Sequence, residues 1–239
     1  MKGKFITFEG SEGSGKSTQA KLLCDYLRRQ KISVVALREP GSTAISEKIR
    51  KILLDPANKD MAVICEMLLY MAARAQLVEQ IIAPELNKGK FVICDRFLDA
   101  TIAYQGYGGK LDIGLIREIG KITTQGIKPD LTFLLDIDPQ EGLRRAGKVK
   151  DRIELKKLYF HQQVRRGYFK LVKKEPGRIK VIPVQPYRRK TQEIIRKHID
   201  KLTPLKKSTE REFTPLEMKF LTGFTRIKPV LPKARRGGR

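Results

Sequence analysis

The sequence predicts an α/β protein with a parallel five-stranded sheet and helices on both faces. Short apolar segments alternate with amphipathic ones through most of the 239 residues, and alternating strands and helices form parallel sheets. The segment 91–95 is apolar almost throughout, as expected for a strand covered on both faces. A glycine-rich turn joins the first apolar segment to the first amphipathic one, which is typical of a phosphate-binding α/β unit.

Five segments are predicted to be strands because they are short, rich in apolar and β-branched residues, and bounded by turn residues. They alternate with predicted helices, so the strands are expected to run parallel. The predicted strands are 4–10, 32–40, 91–97, 131–137 and 179–184.

Helices are predicted where apolar residues recur at intervals of three and four. The segment 65–89 is expected to form one long helix, kinked at Pro84 and ended by Gly89. The other predicted helices are 18–30, 44–54, 115–126, 155–174 and 189–202.

The chain is predicted to fold as one domain, residues 1–202, followed by a basic tail, residues 203–239. The strand and helix patterns fade after Leu202, and the tail carries four prolines and ends in arginine and glycine, so we expect it to be flexible. The formal net charge of +24 predicts attraction to polyanions. For nucleic acid we expect only non-specific contact through the tail.

The composition argues against membrane, secreted and zinc-binding proteins. No stretch approaches the roughly 18 consecutive apolar residues of a membrane helix, and the first residues lack a signal-peptide pattern. We therefore expect a cytoplasmic protein that does not contact a membrane. Cys24, Cys65 and Cys94 fit neither a disulfide framework nor metal-ligand spacing, and we expect all three to be reduced core residues.

A phosphate-binding loop is predicted at Gly-Ser-Glu-Gly-Ser-Gly-Lys-Ser, residues 10–17, which matches the P-loop pattern. Glycines let backbone N–H groups converge on phosphate oxygens, and a lysine at the end of the loop reaches the β- and γ-phosphates. The loop follows a predicted strand and opens a predicted helix, as this mechanism requires. The expected ATP-binding residues are Gly10, Ser11, Glu12, Gly13, Ser14, Gly15, Lys16, Ser17 and Thr18.

A magnesium site is predicted from Ser17 and Asp95. The Ser17 hydroxyl ends the P-loop, and Asp95 ends the apolar strand FVICD, where an acidic residue lies opposite a P-loop. Arg96 follows immediately and is expected to bind phosphate. We therefore expect Mg²⁺ as the cofactor.

Positively charged side chains for an acceptor and for a closing lid are also predicted. Arg38, Arg74 and Arg96 follow strands or lie on helices whose ends share one crevice in a sheet of this kind. Tyr70 lies one helical turn from Arg74, so a planar base could stack on its ring. The segment 142–154 is expected to be a basic lid. Its basic residues are Arg144, Arg145, Lys148, Lys150 and Arg152.

The sequence resembles the thymidylate kinase family in segments that follow one another in family order. The resemblance runs from about residue 3 to 202, and implies a three-layer P-loop nucleoside monophosphate kinase fold. It also implies transfer of the γ-phosphoryl group of ATP to dTMP, which gives dTDP. The segments are FEGSEGSGKSTQ, REPGST, EMLLYMAARAQLV, DRFLDATIAYQG, PDLTFLLDIDPQEGLRRA, DRIE and FHQQVRRGY.

The resemblance implies roles for individual residues of an acceptor site. Arg38 and Arg96 would hold the dTMP phosphate, Tyr70 would stack on thymine, and Arg74 would hydrogen-bond the base edge. The remaining expected contacts to dTMP are Thr101 and Gln105 near the base, Tyr104 under the deoxyribose and Glu12 near the 3′-hydroxyl.

The resemblance is to the bacterial type, in which the additional catalytic arginine lies in the lid. The variable positions of the P-loop here hold no arginine. The expected catalytic residues are therefore Lys16, Asp95 and Arg96 together with Arg145 or Arg152. A homodimer packed through helices beside the sheet is also implied.

Two other functions stay open on the sequence. A P-loop kinase for another nucleoside monophosphate would share the phosphate-binding residues and differ in those that contact the base. A nucleic-acid-binding ATPase would explain the positive charge, although the basic stretches lack the interleaved aromatic residues that stack on bases.

Overall fold

The five predicted strands are confirmed as one parallel sheet. The computed structural model describes residues 3–147 and 150–203. Within them the strands lie in the order β2-β3-β1-β4-β5, with small differences from the predicted ends. They are β1 (Lys4–Glu9), β2 (Val34–Arg38), β3 (Phe91–Asp95), β4 (Leu131–Asp136) and β5 (Ile179–Pro183).

The strand order places a crevice at the carboxyl end of β1. Strand β1 pairs with β3 on one side and with β4 on the other. The connections after β1 and β3 therefore leave in opposite directions, and such a switch point is where ligands bind in open α/β sheets. The P-loop follows β1, and Asp95 ends β3.

Every predicted helix is present, and some short helices were missed. The predicted helix 65–89 is three successive segments: α3, a π-helical stretch at Val78–Ile82, and α4, which contains Pro84. The helices are α1 (Lys16–Arg29), α2 (Ala44–Leu54), α3 (Val63–Leu77), α4 (Ala83–Asn87), α5 (Leu98–Thr101), α6 (Ile113–Thr123), α7 (Pro139–Arg145), α8 (Leu158–Lys174) and α9 (Arg188–Leu202).

Alternating side chains of the strands fill two core layers, which confirms the three-layer architecture. Phe8 of β1 packs with Leu23 of α1 and Ile195 of α9 on one face. Phe5, three residues earlier in β1, points to the other face, where it packs with Leu77 and the π-helical stretch. A further cluster on that second face joins α3, α6 and α8. Apolar burial on both faces explains why β3 is apolar almost throughout.

The prediction that all three cysteines are core residues is wrong for Cys65. Cys24 and Cys94 are buried, whereas Cys65 is exposed on α3. Its neighbours Ile64 and Leu68 are also exposed, so the apolar surroundings seen in the sequence belong to a surface of the helix.

Two further predictions concern membrane-spanning helices and the residues of the tail and lid. None of the helices in the described ranges is long and apolar enough to cross a membrane. The tail beyond Thr203 and lid residue Lys148 lie outside the described residues.

Candidate active site

The P-loop forms the turn from β1 into α1. Gly15 is the N-cap of α1 and has φ +88°, a left-handed backbone conformation that residues other than glycine rarely adopt. The Lys16 ammonium donates to the Ser11 carbonyl oxygen at 2.8 Å and to the Ser14 hydroxyl at 3.3 Å. Burial and then Arg96 lower the pKa of Lys16 to about 8, although Glu12 and Asp95 act in the opposite direction.

Gly13 brings the P-loop against the start of the lid. A Cβ atom at Gly13 would lie 2.0 Å from the Gly142 carbonyl oxygen and 3.1 Å from Cβ of Arg145. No side chain fits there, and the φ of +65° also favours glycine. The backbone of α7 therefore lies directly on the phosphate-binding loop.

The two predicted magnesium ligands are adjacent. The Ser17 hydroxyl donates to Oδ2 of Asp95 at 2.5 Å. Phe8 of β1 pairs with Asp95 of β3, so the register of the sheet carries the carboxylate to the N-terminus of α1. A hydroxyl and a carboxylate are the hard oxygen donors that Mg²⁺ takes beside nucleotide phosphates, so these residues fit the ion. The described residues contain no group of three or more His, Cys, Asp or Glu side chains that could hold a metal ion.

Arg96 connects the P-loop to the side chains behind it. Its guanidinium donates to the Gly10 carbonyl oxygen at 3.1 Å, to Glu12 at 2.8 Å and to the Tyr104 hydroxyl at 2.9 Å. The Tyr104 hydroxyl in turn donates to the same Glu12 oxygen at 2.6 Å. Burial alone would raise the pKa of Glu12, but Arg96, Lys16 and Tyr104 outweigh it and lower the pKa to about 2.

The turn that carries Arg96 is supported by Glu9. Arg96 has φ +71°, an uncommon backbone conformation for a residue with a side chain. The next peptide N–H, of Phe97, donates to Glu9 at 2.8 Å, and the other Glu9 oxygen accepts from the Tyr168 hydroxyl at 2.7 Å. Burial raises the pKa of Glu9 to about 8.

A cavity opens behind Glu12 and Arg96. Its volume is roughly 560 Å³ including the open mouth. Seven of the eight residues predicted to contact dTMP line it. These are Glu12, Tyr70, Arg74, Arg96, Thr101, Tyr104 and Gln105, with Arg38 absent from the lining.

 Glu12 enters the cavity from the P-loop, whereas the other six lie on α3 or in the segment that follows β3.

Arg74 lies at the inner end of this cavity and is 1% exposed. Its Nε donates to Glu39 at 2.8 Å, and NH2 donates to the Phe97 carbonyl oxygen at 3.1 Å and to the Thr101 hydroxyl at 3.0 Å. Its NH1 donates to the Met71 sulfur, a weak acceptor, at 3.1 Å. These contacts fix the guanidinium and leave NH1 without an oxygen acceptor among the described residues.

Arg38 and Arg50 show where the prediction of phosphate-binding arginines was incomplete. Arg38 donates from NH2 to both oxygens of Glu47, at 3.0 and 2.9 Å, and does not line the cavity. Arg50 does line it, with NH1 donating to the Pro40 carbonyl oxygen at 2.9 Å. Burial and the nearby Arg38 lower the pKa of Arg50.

The two candidate lid arginines occupy different environments. Arg145 is exposed at the end of α7, beside the P-loop, and its Nε donates to Glu141 at 2.7 Å. Arg152 is buried, forms an ion pair with Glu66 at 2.6 Å, and donates to the Leu53 carbonyl oxygen at 2.8 Å. Arg152 is therefore held by α2 and α3, and no hydrogen bond or ion pair joins it to the P-loop.

Sequence reasoning missed several residues of the cavity. They lie just before α2, on α2, on α5 or in the lid, where their residue types do not mark them as ligand contacts, so only the folded chain brings them to the cavity. The missed lining residues are Glu39, Pro40, Arg50, Leu54, Ala100, Asp151 and Ile153.

Comparisons with known proteins place this geometry in a family. The family model described as Thymidylate kinase matches residues 8–195. The chain belongs to the thymidylate kinase family. Every predicted site residue lies within the matched region, which ends before the basic tail.

Individual thymidylate kinases are similar to the chain over most of its length. One from Symbiobacterium thermophilum is 46% identical over 201 residues, which are 84% of this chain and 94% of that protein. One from Geotalea daltonii is 49% identical over 189 residues, covering 75% of this chain and 88% of that protein. The crystal structure of thymidylate kinase from Ehrlichia chaffeensis superposes with a TM-score of 0.70 at 34% identity, covering 84% of this chain and 99% of that one.

Proposed function

We propose that this chain transfers the γ-phosphoryl group of ATP to dTMP, which gives ADP and dTDP. Membership of the thymidylate kinase family supports this reaction. The observation that carries the proposal is the position of the acceptor cavity directly behind the P-loop, with Glu12 and Arg96 forming the wall between them. A donor phosphate on the loop and an acceptor phosphate at Arg96 would therefore meet.

The donor side is formed by the P-loop residues, Gly10 to Thr18. Backbone N–H groups of the loop and the N-terminus of α1 would bind the ATP phosphates. Lys16 would move from the Ser11 carbonyl oxygen to the β- and γ-phosphates. Its positive charge is required in the transition state, because phosphoryl transfer depends on positioning and charge stabilisation.

Ser17 and Asp95 are the residues that would hold Mg²⁺. An ion held there would supply positive charge that neutralises and orients the phosphates. Asp95 already accepts from the Ser17 hydroxyl, so the two oxygens are preorganised at the N-terminus of α1.

The acceptor side would bind dTMP with its phosphate toward the P-loop and its base toward Arg74. Arg96 and Arg50 line the phosphate end, and the role predicted for Arg38 stays a prediction, to be tested by substitution. Tyr70 would stack on thymine. Tyr104 would lie under the deoxyribose, and Glu12 would lie near the 3′-hydroxyl.

The base edge would be read by side chains whose orientation the protein already fixes. NH1 of Arg74 would donate to O4 of thymine, since its other donors are committed to Glu39, Phe97 and Thr101. Gln105 would face the neighbouring N3–H. Thr101 contributes indirectly, because its hydroxyl accepts from Arg74.

No general base is required, because a phosphate monoester is already largely dianionic near neutral pH. An oxygen of the dTMP phosphate would attack the γ-phosphorus in line, and the bond to the β–γ bridging oxygen would break. We assign the additional charge stabilisation to Arg145, which lies beside the P-loop. The other candidate, Arg152, is committed to Glu66, and its role is proposed to be positional.

We also propose a homodimer formed through α2, α3 and α6. These helices pack side by side, and six of the ten large apolar side chains exposed in the described ranges lie on them. An exposed apolar surface of this kind is typical of a protein interface. The six residues are Ile45, Ile52, Ile64, Leu68, Leu115 and Ile122.

The reaction is tested by ADP formation from Mg·ATP with dTMP, dUMP, dCMP, dGMP or no acceptor. We expect a strong preference for dTMP. Preference for another monophosphate would favour a different nucleotide kinase, and turnover only with added nucleic acid would favour an ATPase that acts there. Because both substrates are nucleotides of the cell interior, we propose a cytoplasmic location, which cell fractionation checks.

A further inference from the structure

Glu66 is a buried carboxylate on α3 that makes contacts at the base end of the cavity. Its side chain is 1% exposed and forms ion pairs with Arg152 at 2.6 Å and Lys156 at 3.0 Å. Its Oε1 also accepts a hydrogen bond from Nε2 of Gln105 at 2.7 Å. Burial alone would raise the pKa of Glu66, but Lys156, Gln105 and Arg152 outweigh it and lower the pKa, so the group is a carboxylate at neutral pH.

An ionised carboxylate determines which way the Gln105 amide points. A carboxylate can only accept hydrogen bonds, whereas a glutamine amide has a donor branch, Nε2, and an acceptor branch, Oε1. Reversing the amide would place Oε1 against the Glu66 oxygen without a proton between them. The amide is therefore held with Nε2 toward Glu66. Gln105 lines the cavity, and its acceptor branch is the one left for a ligand.

The two polar residues at the base end then present a fixed pattern. Arg74 can only donate, and Gln105, held in this way, can only accept. The 4-oxo pyrimidines thymine and uracil present an acceptor, O4, next to a donor, N3–H, and they match this pattern. Cytosine presents the reverse: its N4 donor would oppose Arg74, and its N3 acceptor would require the Gln105 amide to turn over.

We propose that Glu66 is a specificity-determining residue, which acts through Gln105 to select 4-oxo pyrimidines over cytosine. The proposal rests on the proposed binding of dTMP in this cavity. Glu66 does not contact the base, so it is a positioning residue. Arg152 and Lys156 each lower its pKa, so either cation still favours the carboxylate when the other is removed.

The test compares dUMP with dCMP, because neither carries the 5-methyl group and the two bases differ only in this donor and acceptor pattern. In Glu66→Gln the new amide can donate or accept, so Gln105 can turn over. We expect the ratio of kcat/KM for dUMP to that for dCMP to fall by about tenfold or more, chiefly through a higher value for dCMP. The ratio of the two dissociation constants, measured without ATP, should fall in parallel.

Lys156→Gln is the matched control. It removes one ion pair of Glu66 and leaves Arg152 and the hydrogen bond to Gln105 in place. If Glu66 acts by orienting Gln105, this variant keeps the dUMP preference. An equal fall of the ratio in Lys156→Gln would overturn the proposal and indicate a general loosening of the contacts around Glu66.

Gln105→Ala keeps the test independent of whether Glu66→Gln folds, since a small side chain replaces a glutamine without removing an ion pair. The proposal requires this variant to lose preference for dUMP, and the double variant with Glu66→Gln to lose little more. An unchanged ratio in Gln105→Ala, or in folded Glu66→Gln, overturns it. If Gln105→Ala and Tyr70→Ala both leave the dissociation constant of dTMP unchanged, the proposed binding site itself is wrong.

Discussion

Arg96 and Glu12 form an ion pair of 2.8 Å that joins the end of β3 to the P-loop. Both side chains are 16% exposed, and Tyr104 hydrogen-bonds to each of them. The pair lies between the phosphate-binding loop and the acceptor cavity, so the wall between donor and acceptor is itself made of charged groups. Glu12 also keeps the guanidinium of Arg96 in place before any phosphate binds.

The first prediction concerns acid stability. The pKa of Glu12 is about 2 in the folded protein against 4.5 for the ordinary carboxyl. The ionised side chain therefore stabilises the fold fully above about pH 4.5, and this stabilisation is lost as the pH falls toward 2. The pKa difference corresponds to on the order of 3 kcal/mol. We expect the free energy of unfolding of wild type to exceed that of Glu12→Gln most at neutral pH, with the gap narrowing below pH 4.5. Denaturant titrations of both proteins between pH 3 and 7 measure this difference in the free energy of unfolding.

Asp25→Asn is the control for this prediction, because it removes an exposed pair with Arg28, and such pairs contribute little. A gap between wild type and Glu12→Gln that is the same at pH 3 and pH 7 would contradict the predicted pKa.

The second prediction is that Lys16→Ala impairs the chemical step. Loss of a positive charge at the transferred phosphoryl group should lower kcat by about a hundredfold or more. Steady-state and single-turnover assays separate this from an effect on product release. Lys59→Ala, which removes an exposed lysine far along the chain from the P-loop, should leave kcat unchanged. Normal turnover in Lys16→Ala would exclude the proposed donor site.

The third prediction separates stacking from hydrogen bonding at Tyr70. Tyr70→Ala removes the ring, and we expect dTMP to bind roughly five- to a hundredfold more weakly, the range found for base stacking. Tyr70→Phe keeps the ring and should bind nearly as well as wild type. Calorimetric titration with dTMP measures both. If dTMP binds equally weakly to the two variants, the Tyr70 hydroxyl, rather than its ring, contributes the binding energy.

The sequence was sufficient for the features that depend on local pattern. The P-loop, the five strands and Asp95 each have a short signature, because a glycine turn or an apolar run is dictated by nearby residues. The cavity is different, since Arg50 and Leu54 reach it only through the packing of α2 against α3. Their positions carry no signal until the tertiary structure is known.

Two other differences between the predictions and the structure have physical causes. The helix beginning at Leu98 was missed because it passes into a π-helical stretch, Ile102–Gly108, whose spacing and two glycines hide a helical period. Arg152 was a candidate for catalysis because basic lid residues look alike in sequence. Only the structure reveals that Glu66 lies within 2.6 Å of it, and a carboxylate fifty or more residues away cannot be paired with it from the sequence.

The fourth prediction distinguishes the two lid arginines. Arg145→Ala should lower kcat by about a hundredfold, with little change in dTMP affinity or stability, because Arg145 is exposed and lies beside the P-loop. Arg152→Ala leaves the buried Glu66 with one fewer cation, so it should lower the melting temperature. Arg28→Ala is the exposed control. A large loss of kcat in Arg152→Ala without loss of stability would reverse the two assignments.

The fifth prediction concerns assembly. Ile122 is 76% exposed on α6, and Leu68 is 48% exposed on α3, so a glutamate at either position would be solvated in a monomer and buried in the proposed dimer. Burying an unpaired charge at an interface is strongly unfavourable. Sedimentation velocity should therefore give a dimer for wild type and a monomer for Leu68→Glu and Ile122→Glu. Tyr187→Glu, at an exposed residue just before α9, should remain dimeric, because α9 is not part of the apolar surface formed by α2, α3 and α6. A wild-type monomer, or a dimer that both glutamate variants leave intact, would show that these three helices do not form the interface.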